Sequence, residues 1–129
     1  MAGNTKKKTL RIQENKDRRP RAVAKYIRIS PYKVRVVLDL IRNKSVDEAV
    51  AILANTSKAG AEPIRKVVES AAANAEHNLH MNRSDLKVAE CFADMGPTLK
   101  RMQPVSKGRG YRILKRTSHM TVVLKEIEE

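Results

Sequence analysis

The chain has 129 residues and a formal net charge of +13, from 27 basic and 14 acidic residues. This length suffices for one domain with a modest core and for appendages outside it. The charge attracts polyanions and opposes self-association, so nucleic acid is the expected partner and no homo-oligomer is expected. The single cysteine, Cys91, excludes an intramolecular disulfide and a zinc site with several thiolates, which fits the cytoplasm.

The positive charge is concentrated in two segments. Residues 1–35 hold 12 basic and 2 acidic residues, and residues 95–125 hold 8 basic residues and no acidic one. Residues 36–94 hold 7 basic and 9 acidic residues, so the middle of the chain is nearly neutral. A merely solubilising excess is the alternative, but solubilising surfaces usually intersperse both signs. We interpret the basic segments as arms that reach into a phosphate-rich partner.

No membrane partner is expected. The sequence has no run of about 18 apolar residues, and Met1–Lys8 lacks the hydrophobic segment of a secretory signal. The basic segments also lack Trp and Phe anchors and a sustained apolar face, which disfavours binding to a membrane surface.

Met1–Pro20 is polar, with too little apolar surface to offset the entropy of ordering. It is predicted to be a basic N-terminal extension, ordered only on its partner, and residues 21–129 are predicted to form a single domain. Ala22–Ile29 has the β-branched and aromatic residues of a half-exposed strand. Ser30-Pro31 ends that strand and begins, as N-cap and first helical residue, a helix that extends to about Arg42.

A second helix is predicted from the capping box Ser45-Val46-Asp47-Glu48, in which Ser45 caps the helix and Glu48 reaches back to the cap. Its apolar face consists of Val46, Ala49, Val50 and Leu53.

A third, longer helix is predicted after the turn Asn55-Thr56-Ser57, and it ends near Asn78. Pro63 lies near its beginning and predicts either a kink or a late start, because proline lacks an amide donor and clashes with the preceding turn. The alanine run 71–73 would permit close packing against a sheet.

Leu86–Met95 and Tyr111–Ile127 are predicted to be strands. The segment between them is basic and rich in turn formers, so the two strands would continue into a hairpin arm at about residues 95–117. With a tip near Met102–Lys107, each side adds about ten residues and the arm projects on the order of 30 Å. Such a hairpin is not independently stable in water, so an anionic partner must order it.

No catalytic motif is convincing. Gly108-Arg109-Gly110 matches neither the dinucleotide fingerprint nor the P-loop, and a turn with phosphate-binding neighbours is the better interpretation. His77 and His80 could face the same way, but no further ligand at characteristic spacing completes a metal site. We therefore expect no catalytic residue, no cofactor and no metal.

Two rival functions remain to be discriminated. An architectural DNA-binding protein would need groove-reading or dimerisation elements, which are not evident. An RNA-processing enzyme would use His77, His80 or His119 with Glu76 in acid-base catalysis.

The aromatic residues are few and scattered, which disfavours base-stacking platforms and favours recognition of phosphate, ribose and shape. Arg35 and Arg42 share a face of the first helix. We predict that both lie along a phosphate backbone, although Asp39 could instead pair with Arg35.

Several segments together resemble one known family. They are Ser30 with Lys33-Val34-Arg35 and Asp39-Leu40-Ile41-Arg42; Val68-Glu69-Ser70-Ala71 with Ala73-Asn74-Ala75-Glu76-His77-Asn78; and Lys100-Arg101 with Pro104, Lys107-Gly108-Arg109 and Ile113-Leu114-Lys115-Arg116-Thr117-Ser118-His119. From about Ala22 to Leu124 the chain resembles the bacterial large-subunit ribosomal protein family number twenty-two. It departs from compact members through its longer N-terminal extension and Pro63.

The resemblance implies an α+β fold, with a three-stranded antiparallel sheet packed with three helices, a long protruding β-hairpin and the basic N-terminal tail. It implies a structural constituent of the large ribosomal subunit, located in the cytoplasm, that binds 23S rRNA and supports assembly. Its hairpin would line the nascent polypeptide exit tunnel, near the constriction where macrolide antibiotics bind. The implied partners are 23S rRNA, neighbouring large-subunit proteins and the nascent polypeptide.

The basic residues identified above and the family resemblance together define the expected interface. The residues expected to bind rRNA are Lys6, Lys7, Lys8, Arg18, Arg19, Arg21, Lys25, Arg28, Ser30, Lys33, Arg35, Arg42, Lys44, Lys100, Arg101, Lys107, Arg109, Arg112, Lys115, Arg116, Ser118 and His119. The expected tunnel-lining tip is Leu99, Lys100, Arg101, Met102, Gln103, Pro104, Val105, Ser106 and Lys107.

Overall fold

The chain combines helices and strands, which the computed structural model describes for residues 2–128. Met1, the first residue of the predicted extension, and Glu129, the last residue of the predicted domain, lie outside the described residues. The helices are α1 (Ala2–Glu14), α2 (Pro31–Ile41), α3 (Val46–Asn55) and α4 (Ala61–Leu79), and Arg83–Asp85 form a 3-10 turn. The strands are β1 (Arg21–Ile27), β2 (Leu86–Met95), β3 (Leu99–Pro104), β4 (Gly110–Lys115) and β5 (Ser118–Glu126).

The strands form two antiparallel sheets. β5 lies between β1 and β2 in a three-stranded sheet, and β3 pairs with β4 in a separate two-stranded sheet. Helices α2, α3 and α4 pack against the three-stranded sheet. The α+β class, with three packed helices and a protruding hairpin, is confirmed.

The core lies between the three-stranded sheet and these helices. Alternate residues of the central strand β5, Met120, Val122 and Leu124, are completely buried on this face. Ala71 and Ala72 of α4 are also buried, and their small side chains let the helix approach the sheet closely. Ala73, the third residue of the alanine run, faces solvent. The helical residues that complete the core include Val34, Val37, Leu38, Ile41, Val46, Ala49, Leu53, Ile64, Val67, Val68 and Ala75.

Two serines stand at helix N-termini, but only one uses its side chain as a cap. Ser45 Oγ accepts a hydrogen bond from the Glu48 amide at 3.3 Å. The Glu48 carboxylate does not return to the cap as predicted, because it pairs with Lys44 Nζ at 3.2 Å. Ser30 precedes α2 as predicted but makes no side-chain cap hydrogen bond. There Pro31 has a preset φ and no amide to satisfy, so the helix start depends less on a capping side chain.

Pro63 marks a late helix start rather than a kink. It is the third residue of α4, within the first turn, where an amide has no acceptor inside the helix. The other end of α4 is Leu79, and His80 follows in the left-handed conformation with φ 53°. The predicted third helix is therefore correct in position and within a residue or so at its end.

The prediction that the N-terminal extension is ordered only on its partner was wrong, because Ala2–Glu14 is helical in the chain alone. Residues 3–19 are exposed, so α1 forms without a buried face. Lys, Leu, Arg, Gln and Glu favour helix, and neither glycine nor proline interrupts residues 4–14. The prediction considered only tertiary burial and neglected local hydrogen bonding.

The predicted strand Tyr111–Ile127 is in fact two strands. β4 ends at Lys115 and β5 begins at Ser118, so the chain leaves one sheet and enters the other within two residues. The first strand also ends earlier than predicted, at Ile27, after a register shift between Ala24 and Ile27. A run of β-favouring residues does not reveal where a strand changes partners, because every residue in it suits either sheet.

Replacing Ser45 with Ala is expected to lower the free energy of unfolding by about 1 kcal/mol, because the Glu48 amide loses its side-chain acceptor. Ser30→Ala is the matched control and should lower it clearly less, since no cap hydrogen bond is lost. Urea unfolding followed by circular dichroism measures both values. Equal losses would show that the Ser45 cap contributes nothing specific.

Candidate nucleic-acid interface

Residues 96–117 form the hairpin arm. Six cross-strand pairs, from Leu99 opposite Lys115 to Pro104 opposite Gly110, make up its ladder. At about 3.3 Å per residue the paired part spans roughly 20 Å, which is shorter than the predicted arm. The difference arises because residues 96–98 and 116–117 connect the two sheets and do not belong to the ladder.

The turn of the arm lies further along the chain than predicted. The Val105 amide donates to Arg109 O at 2.9 Å, so residues 106–108 form the tip. Lys107 and Gly108 have positive φ of 61° and 68°, which the reversal of the chain requires. The prediction of a tip over Leu99–Lys107 was wrong for Leu99–Pro104, because these residues form strand β3 and the register places Leu99 at the base of the arm.

Both faces of the arm carry cations. Because side chains alternate along a strand and opposite residues share a face, Arg101 and Lys115 lie on one side of the ribbon. Lys100 and Arg112 lie on the other side, and all four are exposed. The arm therefore reserves neither face for a core and can contact a polyanion from both directions.

Within residues 2–128, no carboxylate forms an ion pair with a cation of the arm. The ion pairs of this part of the chain all join groups outside residues 96–117. Several cations of the domain outside the arm do have carboxylate partners. Arg65 pairs with Glu62 at 2.8 Å, and Arg83 pairs with Asp47 at 3.0 Å. The arm's cations repel one another without compensation, and an anionic partner would relieve that repulsion.

A cleft lies where the arm meets the domain, and we call it the arm-base cleft. Four cations line it, Arg28, Lys33, Lys115 and Arg116, and the Ser30 residue lies among them. The remaining lining residues are Ile29, Ala59 and Leu114, so no acidic side chain takes part. The fold thus brings together cations that are more than 80 positions apart in the sequence, in an arrangement suited to phosphate.

The joint between the arm and the domain is closed by contacts that the sequence analysis missed. Thr117 O accepts from the Gly96 amide at 2.9 Å, and Thr117 Oγ1 donates to Pro97 O at 2.7 Å. A Cβ on Gly96 would lie 2.4 Å from Thr117 Oγ1 and 3.3 Å from the His119 ring. We call Gly96, Pro97 and Thr117 the arm-base clasp. The sequence showed Gly96-Pro97 only as turn formers, and the Thr-Ser-His run opposite was the available signal.

His119 supports the strand beside the clasp. Its Nδ1 accepts from the Tyr26 amide at 3.0 Å, and the two rings meet edge to face at 4.9 Å between centroids. Tyr26 has a φ of 58°, and this turn of the backbone directs its amide at the imidazole. Ser118, also predicted to bind rRNA, is completely buried, so its side chain has no surface to offer a partner.

Arg35 and Arg42 bind the sheet edge inside the domain. Arg35 donates through Nε and Nη2 to Ala93 O at 3.1 and 2.9 Å, and Arg42 donates to Cys91 O at 3.2 Å. Asp39 pairs with Arg42 at 3.2 Å rather than with Arg35. Both guanidinium groups therefore have a structural role that the spacing of the arginines did not reveal.

Arg19 is also occupied, at the root of the N-terminal extension. It contacts Asp17 at 2.8 Å and Glu90 at 2.7 Å, so it ties the extension to strand β2. Hydrogen bonds from Arg19 lower the pKa of the Asp17 carboxyl to about 2. Within residues 2–128, three of the predicted phosphate ligands thus have carboxylate partners. They are Arg19, Lys44, which pairs with Glu48, and Arg42, which pairs with Asp39.

Most of the other predicted rRNA-binding residues are exposed, but they do not form one patch. Those of the arm and the cleft lie together, whereas Lys6–Lys8 lie on α1. The exposed members are Lys6, Lys7, Lys8, Arg18, Arg21, Lys25, Arg28, Lys33, Lys100, Arg101, Lys107, Arg109, Arg112 and Lys115. Arg116 and Ser30 are half-buried in the cleft.

The histidines at the end of α4 and the cysteine in residues 2–128 do not form a catalytic or metal site. His77 and His80 are exposed at the end of α4, and residues 2–128 contain no cluster of three or more potential metal ligands. Burial raises the pKa of the Cys91 thiol, which donates to Leu38 O at 3.5 Å. None of the helices described is long and apolar enough to cross a membrane.

A small α+β domain with a basic arm that has no carboxylate partner within residues 2–128 is typical of a nucleic-acid-binding protein, and comparisons with known proteins give the family. The chain belongs to the ribosomal protein L22p/L17e family, whose model matches residues 22–125. It is therefore a ribosomal protein and not an enzyme, and its place is in the ribosome.

Curated relatives match most of the chain. The large ribosomal subunit protein uL22 of Clostridium beijerinckii is 58% identical over 106 residues, which cover 82% of this chain and 96% of the relative. That of Clostridium tetani is 58% identical over 108 residues, covering 84% and 97%. That of Desulfitobacterium hafniense strain Y51 is 55% identical over 109 residues, covering 84% and 96%. The family resemblance inferred from the sequence is confirmed.

Gly96→Ala is expected to loosen the arm, because the new Cβ would displace Thr117 Oγ1 and break its bond to Pro97 O. Gly110→Ala is the control. Its Cβ would lie 2.9 Å from Met102 Cε, but that is the end of a flexible side chain, which can move away. Spin labels at cysteines that replace Ser106 and Glu76 report the direction of the arm through the distribution of the distance between them. The natural Cys91 is buried, so it is not expected to be labelled.

The Gly96→Ala distribution should be broader than that of the otherwise unchanged, doubly labelled chain, and the Gly110→Ala distribution should not be. An unchanged distribution in Gly96→Ala would show that the clasp does not fix the arm.

Proposed function

We propose that this chain binds 23S rRNA through the arm-base cleft and the arm, supports assembly of the large subunit, and lines the polypeptide exit tunnel with the tip of the arm. The relatives named above are large ribosomal subunit proteins, and this chain, as a member of their family, is a structural constituent of that subunit. Its association there is with the subunit's rRNA and proteins.

The observation that carries the proposal is the set of cations without carboxylate partners on both faces of the arm and in the cleft. Seven Lys and Arg residues lie between residues 96 and 117, with no Asp or Glu among them. Neutralising phosphates with these side chains releases counterions, which is the main source of affinity in such interfaces. A two-stranded hairpin gains little stability from its own contacts, so the same neutralisation would also order it.

The cleft and the arm have different tasks in this proposal. The cleft holds one segment of rRNA backbone between Arg28 and Lys33 on the domain and Lys115 on the arm, which fixes the domain against the RNA. The clasp then sets the direction in which the arm leaves the domain. Because exposed aromatic residues are few, recognition relies on the position of phosphates rather than on base stacking.

The tip would be the part of the arm that the nascent polypeptide meets. Residues 106–108, Ser106-Lys107-Gly108, are small or flexible and exposed, and they carry no large apolar side chain on which a peptide could bind firmly. A tunnel wall must not hold the peptide, since tight binding would impede its exit. The charge of the tip instead favours contact with the rRNA of the same wall.

Replacing Lys33 and Lys115 with Gln should weaken binding to a 23S rRNA transcript and reduce the slope of log affinity against log salt by about 1 per lost phosphate contact. Arg83→Gln is the control, because its guanidinium already pairs with Asp47 at 3.0 Å. Filter binding over a series of KCl concentrations measures the slopes. An unchanged slope in the double variant would remove the cleft from the interface.

A photo-crosslinking amino acid at Ser106 should label a stalled nascent chain in purified ribosomes, since the tip would face the tunnel. The same amino acid at Glu76, on the exposed side of α4, should not label it. Radiolabelled nascent chains separated by gel electrophoresis report the adducts. Labelling from Glu76 without labelling from Ser106 would contradict the proposed orientation of the arm.

A further inference from the structure

Strand β1 has an open outer edge. It pairs with β5 on one side, and within residues 2–128 no strand pairs with its other side. Because Pro20 O accepts from the Leu124 amide, the residues that bond to β5 are Pro20 and its alternate successors, and Arg21 and Val23 turn their backbone groups outward. Asn74 of α4 caps Arg21 O at 2.9 Å. For the outward amide and carbonyl of Val23, the described residues supply no such partner.

The opposite edge of the sheet is covered, which makes the open edge of β1 distinctive. On β2, the Val88 amide donates to Lys44 O at 2.8 Å, and Val88 O accepts from the Asn43 amide at 3.0 Å. Further along β2, Arg42 and Arg35 bind the carbonyls of residues 91 and 93. Proteins usually block exposed strand edges in such ways. The edge of β1, which is left open while the edge of β2 is covered, is suited to pairing with another chain.

An apolar groove runs beside the open edge, between β1 and the first half of α4. Its floor is formed by Ala22, Ala24 and Ile27 of the strand and by Pro63 and Val67 of the helix. The two alanines are too small to fill the space between strand and helix. A peptide that added to β1 would direct alternate side chains into this groove, as in β-strand addition at other sheet edges.

The charges around the groove indicate what such a peptide carries. Glu62 on the rim pairs with Arg65 at 2.8 Å. Lys66, also on the rim, forms no ion pair within residues 2–128. An acidic residue of the peptide would compensate it. RNA fits less well, because the floor of the groove is apolar.

We propose that the open edge of β1 and the adjoining groove bind an extended segment of a neighbouring large-subunit protein. The segment adds to β1 as a fourth strand, fills the groove with small apolar side chains and places an acidic residue opposite Lys66. This inference rests on the place of the chain in the large subunit, and it adds the surface and the kind of partner.

The test uses a photo-crosslinking amino acid in place of Ser70, which lines the groove from the exposed side of α4. Large subunits that contain the variant are purified and irradiated, and mass spectrometry maps the adducts. The expected result is an adduct to an extended segment of another protein of the subunit. Adducts to rRNA, to this chain's own N-terminal extension or to a second copy, or no adduct at all, would overturn the inference.

A change of the strand edge should remove the adduct. Val23→Pro deletes the outward amide, which an edge strand tolerates. It should reduce the adduct about tenfold, the effect of one lost hydrogen bond of about 1.4 kcal/mol. Val23→Thr keeps the amide and the β-branched side chain, so it should leave the adduct unchanged. Equal yields from the two variants would exclude strand addition.

A change of charge provides an independent test that leaves the strand intact. Lys66→Glu should reduce the adduct more than Lys66→Gln, because it repels the acidic residue instead of merely losing it. An equal or increased yield in Lys66→Glu would contradict an acidic partner. In all variants, the amount of the chain in purified subunits is measured first. Absence from subunits would count against the proposed function, whereas presence without the adduct counts against this inference alone.

Discussion

The structure depends on the closure of the arm base, where one continuous segment leaves the two-stranded sheet and enters the three-stranded one. Hydrogen bonds from the Gly96 amide and the Thr117 hydroxyl join the two segments that meet at the arm base. The space at Gly96 leaves no room for a side chain. β5, which begins immediately after the joint, is the central strand of the domain. The direction of the arm is therefore coupled to the strand around which the core is built.

This coupling gives the arm a rigid base although it has no core of its own. The residues that continue from the joint into β5 are anchored by complete burial, as Met120 is, and the His119 ring holds the adjacent turn of β1. Beyond the clasp, the ladder has its own hydrogen bonds, and all of its side chains except the half-buried Leu99 and Ile113 are exposed. Anchoring by burial thus decreases toward the tip, whereas cations without a carboxylate partner in the described residues lie along the whole arm and in the cleft at its base, an arrangement suited to an arm that folds fully against RNA.

The sequence predicted those parts of the fold that local patterns determine. Helical periodicity located α2, α3 and α4, and Pro63 marked the start of α4, because these signals act within a few residues. The division of Tyr111–Ile127 into two strands was not predictable, since it depends on which distant strand each half pairs with. The helix in the extension was missed because burial was treated as the only source of order.

The candidate site was predictable in its charge and not in its geometry. Counting acidic residues identified the arm, because an arm without Asp or Glu retains its charge however it folds. The same counting treated Arg35, Arg42 and Arg109 alike, whereas the fold directs the first two at strand carbonyls and gives the third no side-chain acceptor within residues 2–128. A cation becomes available to RNA only where the fold supplies no nearer acceptor.

The two edges of the three-stranded sheet follow the same rule. Arg35 and Arg42 supply donors to the carbonyls of β2, and the backbone of Asn43 and Lys44 pairs with Val88, so that edge is closed. On β1 the groove-lining residues of α4 are Glu62, Pro63, Lys66, Val67 and Ser70, and among the described residues of the helix Asn74 alone makes a side-chain hydrogen bond to the strand. The difference between the edges therefore lies in the helices and connecting residues that flank them, and not in the strands themselves.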